Sequence, residues 1–244
     1  MKQLNQYIKE KLIINKNYRD ANILTPKSFD ELRKIIEDRY DKLGPGTKEN
    51  PIDFNDIDVS NLDSFFNDNK YKGIFERTKF KYIDISDWDV SNIKSMRYMF
   101  YGCDELKTVG DLSSWDVSNV TDMNSMFCSC EELKSVGDIS KWDVSKVYDM
   151  SYMFGYCEYF NKNISDWDVS NVTNMRSMFC DCKSFNQDLS SWDVSNVTNM
   201  YSMFYGCISF NQDISSWNVS NVRYRMGMFD GCRQIKNEYK PKFK

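Results

Sequence analysis

Eight cysteines and no histidine limit the chemistry open to this chain of 244 residues. Without histidine there is no Ser–His or Cys–His nucleophile, no imidazole acid or base and no histidine-ligated metal. Three states of the cysteines are consistent with the sequence: reduced core thiols, disulfides between neighbouring repeats, or zinc held by Cys-x-Cys pairs at 128–130 and 180–182. Six of the cysteines occupy one fixed position in the repeats, and this favours reduced thiols packed in the core. The recurring cysteines are Cys103, Cys130, Cys157, Cys182, Cys207 and Cys232.

Two columns of acidic and amide residues are the other groups that could bind or react. The first directly follows each tryptophan, beginning at Asp89, and its side chains are predicted to cap backbone N–H groups of turns. The second column is predicted to face outward and to form a partner-binding stripe, with calcium binding as the weaker alternative. No carboxylate or cysteine has a unique context that indicates a catalytic pocket, so no catalytic, cofactor-binding or metal-binding residue is predicted. The stripe comprises Asp84, Asp111, Asp138, Asn161, Asn163, Asn186, Asp188, Asn211 and Asp213.

These columns belong to an internal repeat. All six tryptophans recur at intervals of 25 to 27 residues, and each is followed at fixed distances by Val, Met-Phe and Cys. A degenerate repeat with Ile57 in the tryptophan position precedes them. The tryptophans could stack against a ligand, but a residue needed in every repeat more often packs the core, with its indole N–H hydrogen-bonded. The tryptophans are Trp88, Trp115, Trp142, Trp167, Trp192 and Trp217.

Each repeat is predicted to contain two short elements. Apolar residues between Val197 and Phe204 fit about two helical turns, and the alternation from Phe210 to Ile214 fits a short inward-facing strand. The predicted fold class is therefore an α/β repeat: a leucine-rich-repeat-like solenoid with one short parallel strand and one short helical segment in each coil of 25–27 residues.

The first part of the chain does not repeat. Ser28 and Glu31 form a capping box before a helix that Gly44 ends, and residues 4–14 are predicted to form an earlier helix. We expect three regions: a helical N-terminal cap over 1–51, a solenoid of one degenerate and six full repeats over 52–235, and a charged tail over 236–244.

Composition excludes several classes of protein. The net charge of −4 gives no support for nucleic-acid binding, and a mean hydropathy of −0.62 argues against a membrane span. With 41% hydrophobic residues the chain is too apolar to be disordered. No signal-peptide core or lipidated cysteine is found near the start, so we expect either a cytoplasmic protein or a fragment of an exported one.

The repeat motif closely resembles the BspA-like family of leucine-rich-repeat surface proteins, in particular its 25-residue bacterial lipoprotein-associated repeat. The resemblance covers residues 52–235 and is carried by runs such as 164–175 (ISDWDVSNVTNM) and 203–213 (MFYGCISFNQD). It implies display at the cell surface or outside the cell, adhesin-like binding of a protein partner and no enzymatic activity. We therefore expect a monomeric, non-enzymatic protein-binding module without a cofactor. The alternative is an intracellular scaffold or inhibitor that uses the same repeat surface.

Overall fold

One helix forms in the described part of the chain. The computed structural model describes residues 23–243, and its helix α1 spans Phe29–Leu43. The Ser28 hydroxyl accepts a hydrogen bond from the Glu31 N–H at 3.2 Å, and the Gly44 N–H closes the other end on the carbonyl of Tyr40. The predicted N-cap at Ser28 and helix end at Gly44 are therefore confirmed. The second bond of the predicted capping box differs, since the Glu31 carboxylate accepts from the N–H of Lys27 at 2.8 Å. The helix predicted over residues 4–14 lies outside the described residues.

Helix α1 packs on the degenerate repeat. Its Leu32 and Ile36 are completely buried, and the ring of Tyr40 meets that of Phe80 edge-on at 5.0 Å. The Arg39 guanidinium forms an ion pair with Asp56, with 2.6 Å between the nearest nitrogen and oxygen. Apolar burial and charged contacts, which also include the ion pair of Asp30 with Lys70 at 2.7 Å, thus fix the helix against the degenerate repeat.

The strands are short and confined to the beginning of the described chain. Strand β1 (Ile52–Asp53) pairs in parallel with β4 (Ile83–Asp84), and β2 (Phe66–Asn67) pairs antiparallel with β3 (Lys72–Gly73). A single 3-10 turn, Asn237–Tyr239, follows the last repeat. From repeat to repeat, isolated parallel bridges join one residue to its counterpart, as in Asp122 to Asp149 and Asp149 to Asn174.

The predicted fold class is wrong. Among residues 23–243, no tryptophan repeat contains a helix. The strands are the four two-residue pieces β1 to β4, which all lie between Ile52 and Asp84, before the first tryptophan. A helix-capped α/β solenoid, with a strand and a helical segment in every coil, is therefore not what the chain forms. The repeats consist instead of consecutive turns.

Left-handed residues explain why the helical segment does not form. In the third repeat, Tyr152 and Tyr156 have φ values of 56° and 64°, which interrupt a right-handed helix at every fourth residue. Their N–H groups donate to the next repeat, to the carbonyls of Arg176 at 2.8 Å and Cys180 at 2.6 Å, rather than back along the chain. We call residues 150–157, and their counterparts in the other repeats, the turn segment.

Side-chain amides explain why the predicted strand is also missing. The N–H of Asn211 donates to the side-chain oxygen of Asn186 at 2.9 Å, not to a backbone carbonyl, and Phe210 makes a turn bond to Cys207. A ladder of backbone hydrogen bonds therefore does not form along Phe210–Ile214. Both Phe210 and Ile214 are nevertheless completely buried, as their alternation predicts.

The core is one continuous apolar cluster that runs from Leu32 in α1 to Ile235 beyond the last repeat. The phenylalanine of each Met-Phe pair stacks on its neighbour, as in Phe100 and Phe127, whose ring centroids lie 5.2 Å apart and whose planes differ by 5°. Because every repeat buries its rings against the next, the repeats are held in one fixed register. Among the described residues, no helix is long and apolar enough to cross a membrane.

Candidate partner-binding groove

The tryptophan column is structural. Every indole is at least 95% buried, and each N–H donates to the carbonyl of the preceding repeat. In Trp142, for example, the acceptor is the oxygen of Leu112 at 3.0 Å. The core interpretation of the tryptophans is confirmed, and no indole is available to stack on a ligand.

The recurring cysteines form a second buried column. All eight cysteines are free, and only Cys232 is partly exposed. Each recurring thiol donates to the carbonyl of a phenylalanine in the preceding repeat, as Cys157 does to Phe127 at 3.0 Å. Burial raises the pKa of Cys103 to about 11, so this thiol is protonated and unreactive at neutral pH.

The first acidic column caps turns, as predicted. In each full repeat the side-chain oxygen of this residue accepts from the N–H two positions later, as Asp116 does from Ser118 at 3.0 Å. The hydroxyl and the N–H of Ser118 lower the pKa of Asp116. These carboxylates hold the local turn together.

Most members of the predicted stripe also cap turns. The six residues of its main column each accept from a serine N–H two positions later, at 2.9 to 3.1 Å. The column is mostly exposed, and one oxygen of each side chain is committed to a turn. Its members are Asp84, Asp111, Asp138, Asn163, Asp188 and Asp213.

The three remaining stripe residues link repeats to one another. Asn161 accepts from the N–H of Asn186 at 3.0 Å and from the amide of Gln187 at 2.8 Å, and Asn186 accepts in the same way from Asn211 and Gln212. The side-chain oxygen of Asn211 is buried and has no hydrogen-bond partner within the described region. Six stripe residues therefore cap their own turns, and the other three join neighbouring repeats.

A groove on the other polar face offers more to a partner. It has a volume of about 580 Å³ and is open along its length. Residues of five successive repeats line it, four of them through their turn segments, and we call it the tyrosine–arginine groove. Its lining includes Arg97, Tyr98, Tyr101, Asn124, Asp149, Ser151, Tyr152, Tyr156, Asn174, Arg176 and Asn199.

A separate open cavity of about 900 Å³ lies between α1 and residues 43–56 and shares none of these lining residues.

Two arginines are held in the groove by aromatic rings. The Arg97 guanidinium lies over the rings of Phe66 and Tyr98, at 4.9 and 5.4 Å from their centroids. The Arg176 guanidinium lies over Tyr152 and Tyr201, at 5.6 and 5.1 Å. Cation–π contacts orient both side chains before any partner arrives.

The polar residues on the floor of the groove bind one another across the repeats. The amide of Asn124 donates to the hydroxyl of Ser151 at 2.6 Å, and the amide of Asn174 donates to Asp149 at 3.0 Å. Asp122 lies 3.8 Å from Arg97, and burial is the main cause that raises the pKa of its carboxyl. The floor is therefore fixed by the protein itself, and the rings and guanidinium groups above it are the parts available for contact.

The arrangement suits binding better than catalysis. Asp122 and Asp149 each accept a backbone N–H two residues later, so their carboxylates serve the turns. Within residues 23–243, no group of three His, Cys, Asp or Glu side chains is placed to hold a metal ion. Tyrosine and arginine, by contrast, are the side chains most enriched at the energetic centres of protein interfaces.

Sequence reasoning missed the groove, although the sequence contains a signal for it. Nine residues after each tryptophan the side chain changes from repeat to repeat, while the core positions stay constant. That column reads Arg97, Asn124, Ser151, Arg176, Tyr201 and Met226. A position that varies among otherwise constant repeats is not required to build the shared core, so its exposed members can serve recognition.

Comparison with known proteins identifies a family but no function. No curated protein and no solved structure matches the chain. One family model matches twice, over residues 60–168 and 130–242, and so covers most of the chain with its repeats. The chain belongs to the family described as "Mycoplasma protein of unknown function, DUF285".

Proposed function

We propose that this chain is a non-enzymatic protein-binding repeat protein and that the tyrosine–arginine groove is its partner-binding surface. The observation that carries the proposal is the placement of Arg97 and Arg176, each fixed over aromatic rings in a groove that crosses five repeats. Side chains ordered in advance lose little conformational entropy on binding. The resemblance of the repeat motif to BspA-like surface proteins supports an adhesin-like role at the cell surface.

The test compares two faces of the same protein. The intact chain is immobilised, proteins are captured from surface and cytoplasmic extracts, and the affinity of each purified partner is measured. The double variant Arg97→Gln and Arg176→Gln removes the groove cations. The matched control, Asp188→Asn and Asp213→Asn, changes the stripe but keeps the oxygen that each turn needs.

We expect the groove variant to bind the partner with an affinity lower by about tenfold or more, since a central interface arginine commonly contributes over 1 kcal/mol. The stripe control should bind as the unmodified chain does. If only the stripe control loses binding, the stripe and not the groove is the binding site. If neither pair of substitutions changes the affinity for the partner, the proposal is contradicted.

The free thiols support the second candidate, an intracellular scaffold or inhibitor. Eight free cysteines are more typical of a reducing compartment than of an exported protein. Labelling intact producing cells with a membrane-impermeant reagent separates the two. Tagged protein supports surface display, whereas untagged protein beside tagged surface proteins supports the scaffold.

A further inference from the structure

The last repeat leaves three backbone amides without acceptors. In the fifth repeat, the N–H groups of Ser202, Phe204 and Gly206 donate to the sixth at 3.0, 2.9 and 2.8 Å. Their counterparts in the sixth repeat are Gly227, Phe229 and Gly231. Within residues 23–243 these three amides have no hydrogen-bond acceptor. The edge of the sixth turn segment is thus an unpaired row of donors.

The chain that follows covers the core side of this end and meets the turn segment at Arg225, whose guanidinium lies 4.8 Å from the centroid of the Phe243 ring. The N–H of Ile214 donates to the carbonyl of Tyr239 at 3.0 Å, and the Lys240 ammonium lies 5.5 Å from the centroid of the Phe229 ring. On the turn side, Tyr224 and Met226 are 63% and 73% exposed. A further chain therefore has access to the turn edge.

The alternation of the donors along the chain suits a peptide backbone that runs along the edge. The three amides belong to alternate residues, and the carbonyl oxygens along one edge of an extended chain also recur at every second residue. In the five earlier full repeats, the acceptors of these donors are backbone carbonyls of the next repeat. A peptide backbone therefore supplies the acceptor type that the edge already uses.

The charge around the edge selects the kind of peptide. Residues 222–243 contain six basic side chains and two acidic ones, a local balance of +4 in a chain whose net charge is −4. A second copy of the same end is repelled by this charge, whereas an acidic peptide is attracted. The basic residues are Arg223, Arg225, Arg233, Lys236, Lys240 and Lys242.

We propose that the turn edge of the sixth repeat binds an extended acidic peptide of a partner protein. The peptide carbonyls accept from Gly227, Phe229 and Gly231, and its carboxylates pair with the exposed Arg223 and Arg233. This surface lies beyond Asn199, where the tyrosine–arginine groove ends, and so adds a second binding site to the proposed function.

Amide hydrogen exchange on the intact chain tests the backbone part of the proposal. The probe is a short, end-blocked peptide of alternating Glu and Val. At saturation we expect exchange at Gly227, Phe229 and Gly231 to slow by about tenfold or more, while the amides of the fifth repeat are slow throughout. Absence of binding overturns the proposal, and so does binding that leaves the three amides unchanged.

Matched variants test the charged part. The double variant Arg223→Gln and Arg233→Gln should lower the affinity for the acidic peptide by about tenfold. The double variant Arg97→Gln and Arg176→Gln should leave that affinity unchanged. Equal weakening by both pairs, or equal binding of a Lys-Val peptide, contradicts the proposal. Protection of the three amides by a single-stranded oligonucleotide, but not by the acidic peptide, would also overturn it.

Discussion

The indole Nε1 of Trp142 lies 3.0 Å from the carbonyl oxygen of Leu112 and donates a hydrogen bond to it. The same bond joins each tryptophan to an apolar residue of the preceding repeat. Because both groups are buried, neither can exchange its partner for water. This contact joins neighbouring repeats at one fixed point, and its loss is the simplest test of what holds them together.

Trp142→Phe should lower the free energy of unfolding by about 2–4 kcal/mol. The substitution leaves the buried carbonyl of Leu112 without its donor and also removes apolar volume. Urea unfolding at neutral pH measures the effect. The matched control is Tyr148→Phe at an exposed position, which should change stability by less than about 0.5 kcal/mol. Equal effects of the two substitutions would contradict a structural role for the indole bond.

The cysteines should react in a defined order. Cys130, Cys157 and Cys182 are completely buried, and burial raises the pKa of each, so they should resist a thiol reagent until the protein unfolds. Cys232 is partly exposed, and its hydrogen bond with Cys207 lowers its pKa. It should react first in the native protein, and Cys232→Ser should remove that early reaction. Rapid native labelling of five or more thiols would contradict the buried column.

Asp122→Asn should slightly stabilise the protein at neutral pH. Burial raises the folded-state pKa of Asp122, so its ionised form is penalised in the folded protein at pH values above that pKa. As the pH falls through the folded pKa, the carboxyl gains its proton and the penalty disappears. The stability difference between variant and parent should therefore be present at pH 7 and shrink towards pH 4 in urea titrations.

The chain contains its own precedent for this substitution, since Asn174 and Asn199 occupy the same position in later repeats. Asparagine keeps the oxygen that accepts from the N–H of Asn124 at 2.9 Å. A clear loss of stability at pH 7 would instead mean that the contact with Arg97 outweighs the burial of the charge.

Gly206→Ala should destabilise the protein by about 1–3 kcal/mol. The φ of Gly206 is +69°, and an added Cβ would lie 2.1 Å from a carboxylate oxygen of Asp181. The matched control is Gly44→Ala, with a φ of +73° and no heavy atom within 4 Å of its Cβ. Thermal unfolding of both variants separates the cost of the backbone angle from that of the contact. A smaller effect at Gly206 would show that the Asp181 side chain moves away freely.

Much of the core could be predicted from the sequence because the buried residues recur at the same position of each repeat. The tryptophan, Met-Phe and cysteine positions are constant in all six full repeats, and only a shared packing environment requires such constancy. The caps could also be predicted, since Ser28 and Asp116 accept hydrogen bonds from N–H groups only three and two residues later.

The groove and its arginines could not be predicted in the same way. Arg97 and Tyr152 lie 55 positions apart in the sequence, and the stacking of the repeats alone places them in one groove. The predicted stripe is mostly exposed, but in eight of its nine side chains an oxygen already accepts from a serine N–H or from a residue of the next repeat. Which polar groups stay free depends on these hydrogen bonds.

The sequence by itself determined the repeat, its register, the buried columns and the helix at Phe29–Leu43, because these depend on local periodicity and on short-range caps. The tertiary structure decided the conformation within each repeat. The apolar spacing of a turn segment fits a helix equally well, and only the neighbouring repeat, by accepting alternate N–H groups, makes left-handed residues such as Tyr152 favourable. Hydrogen bonds to a segment 25 residues away cannot be read from the segment alone.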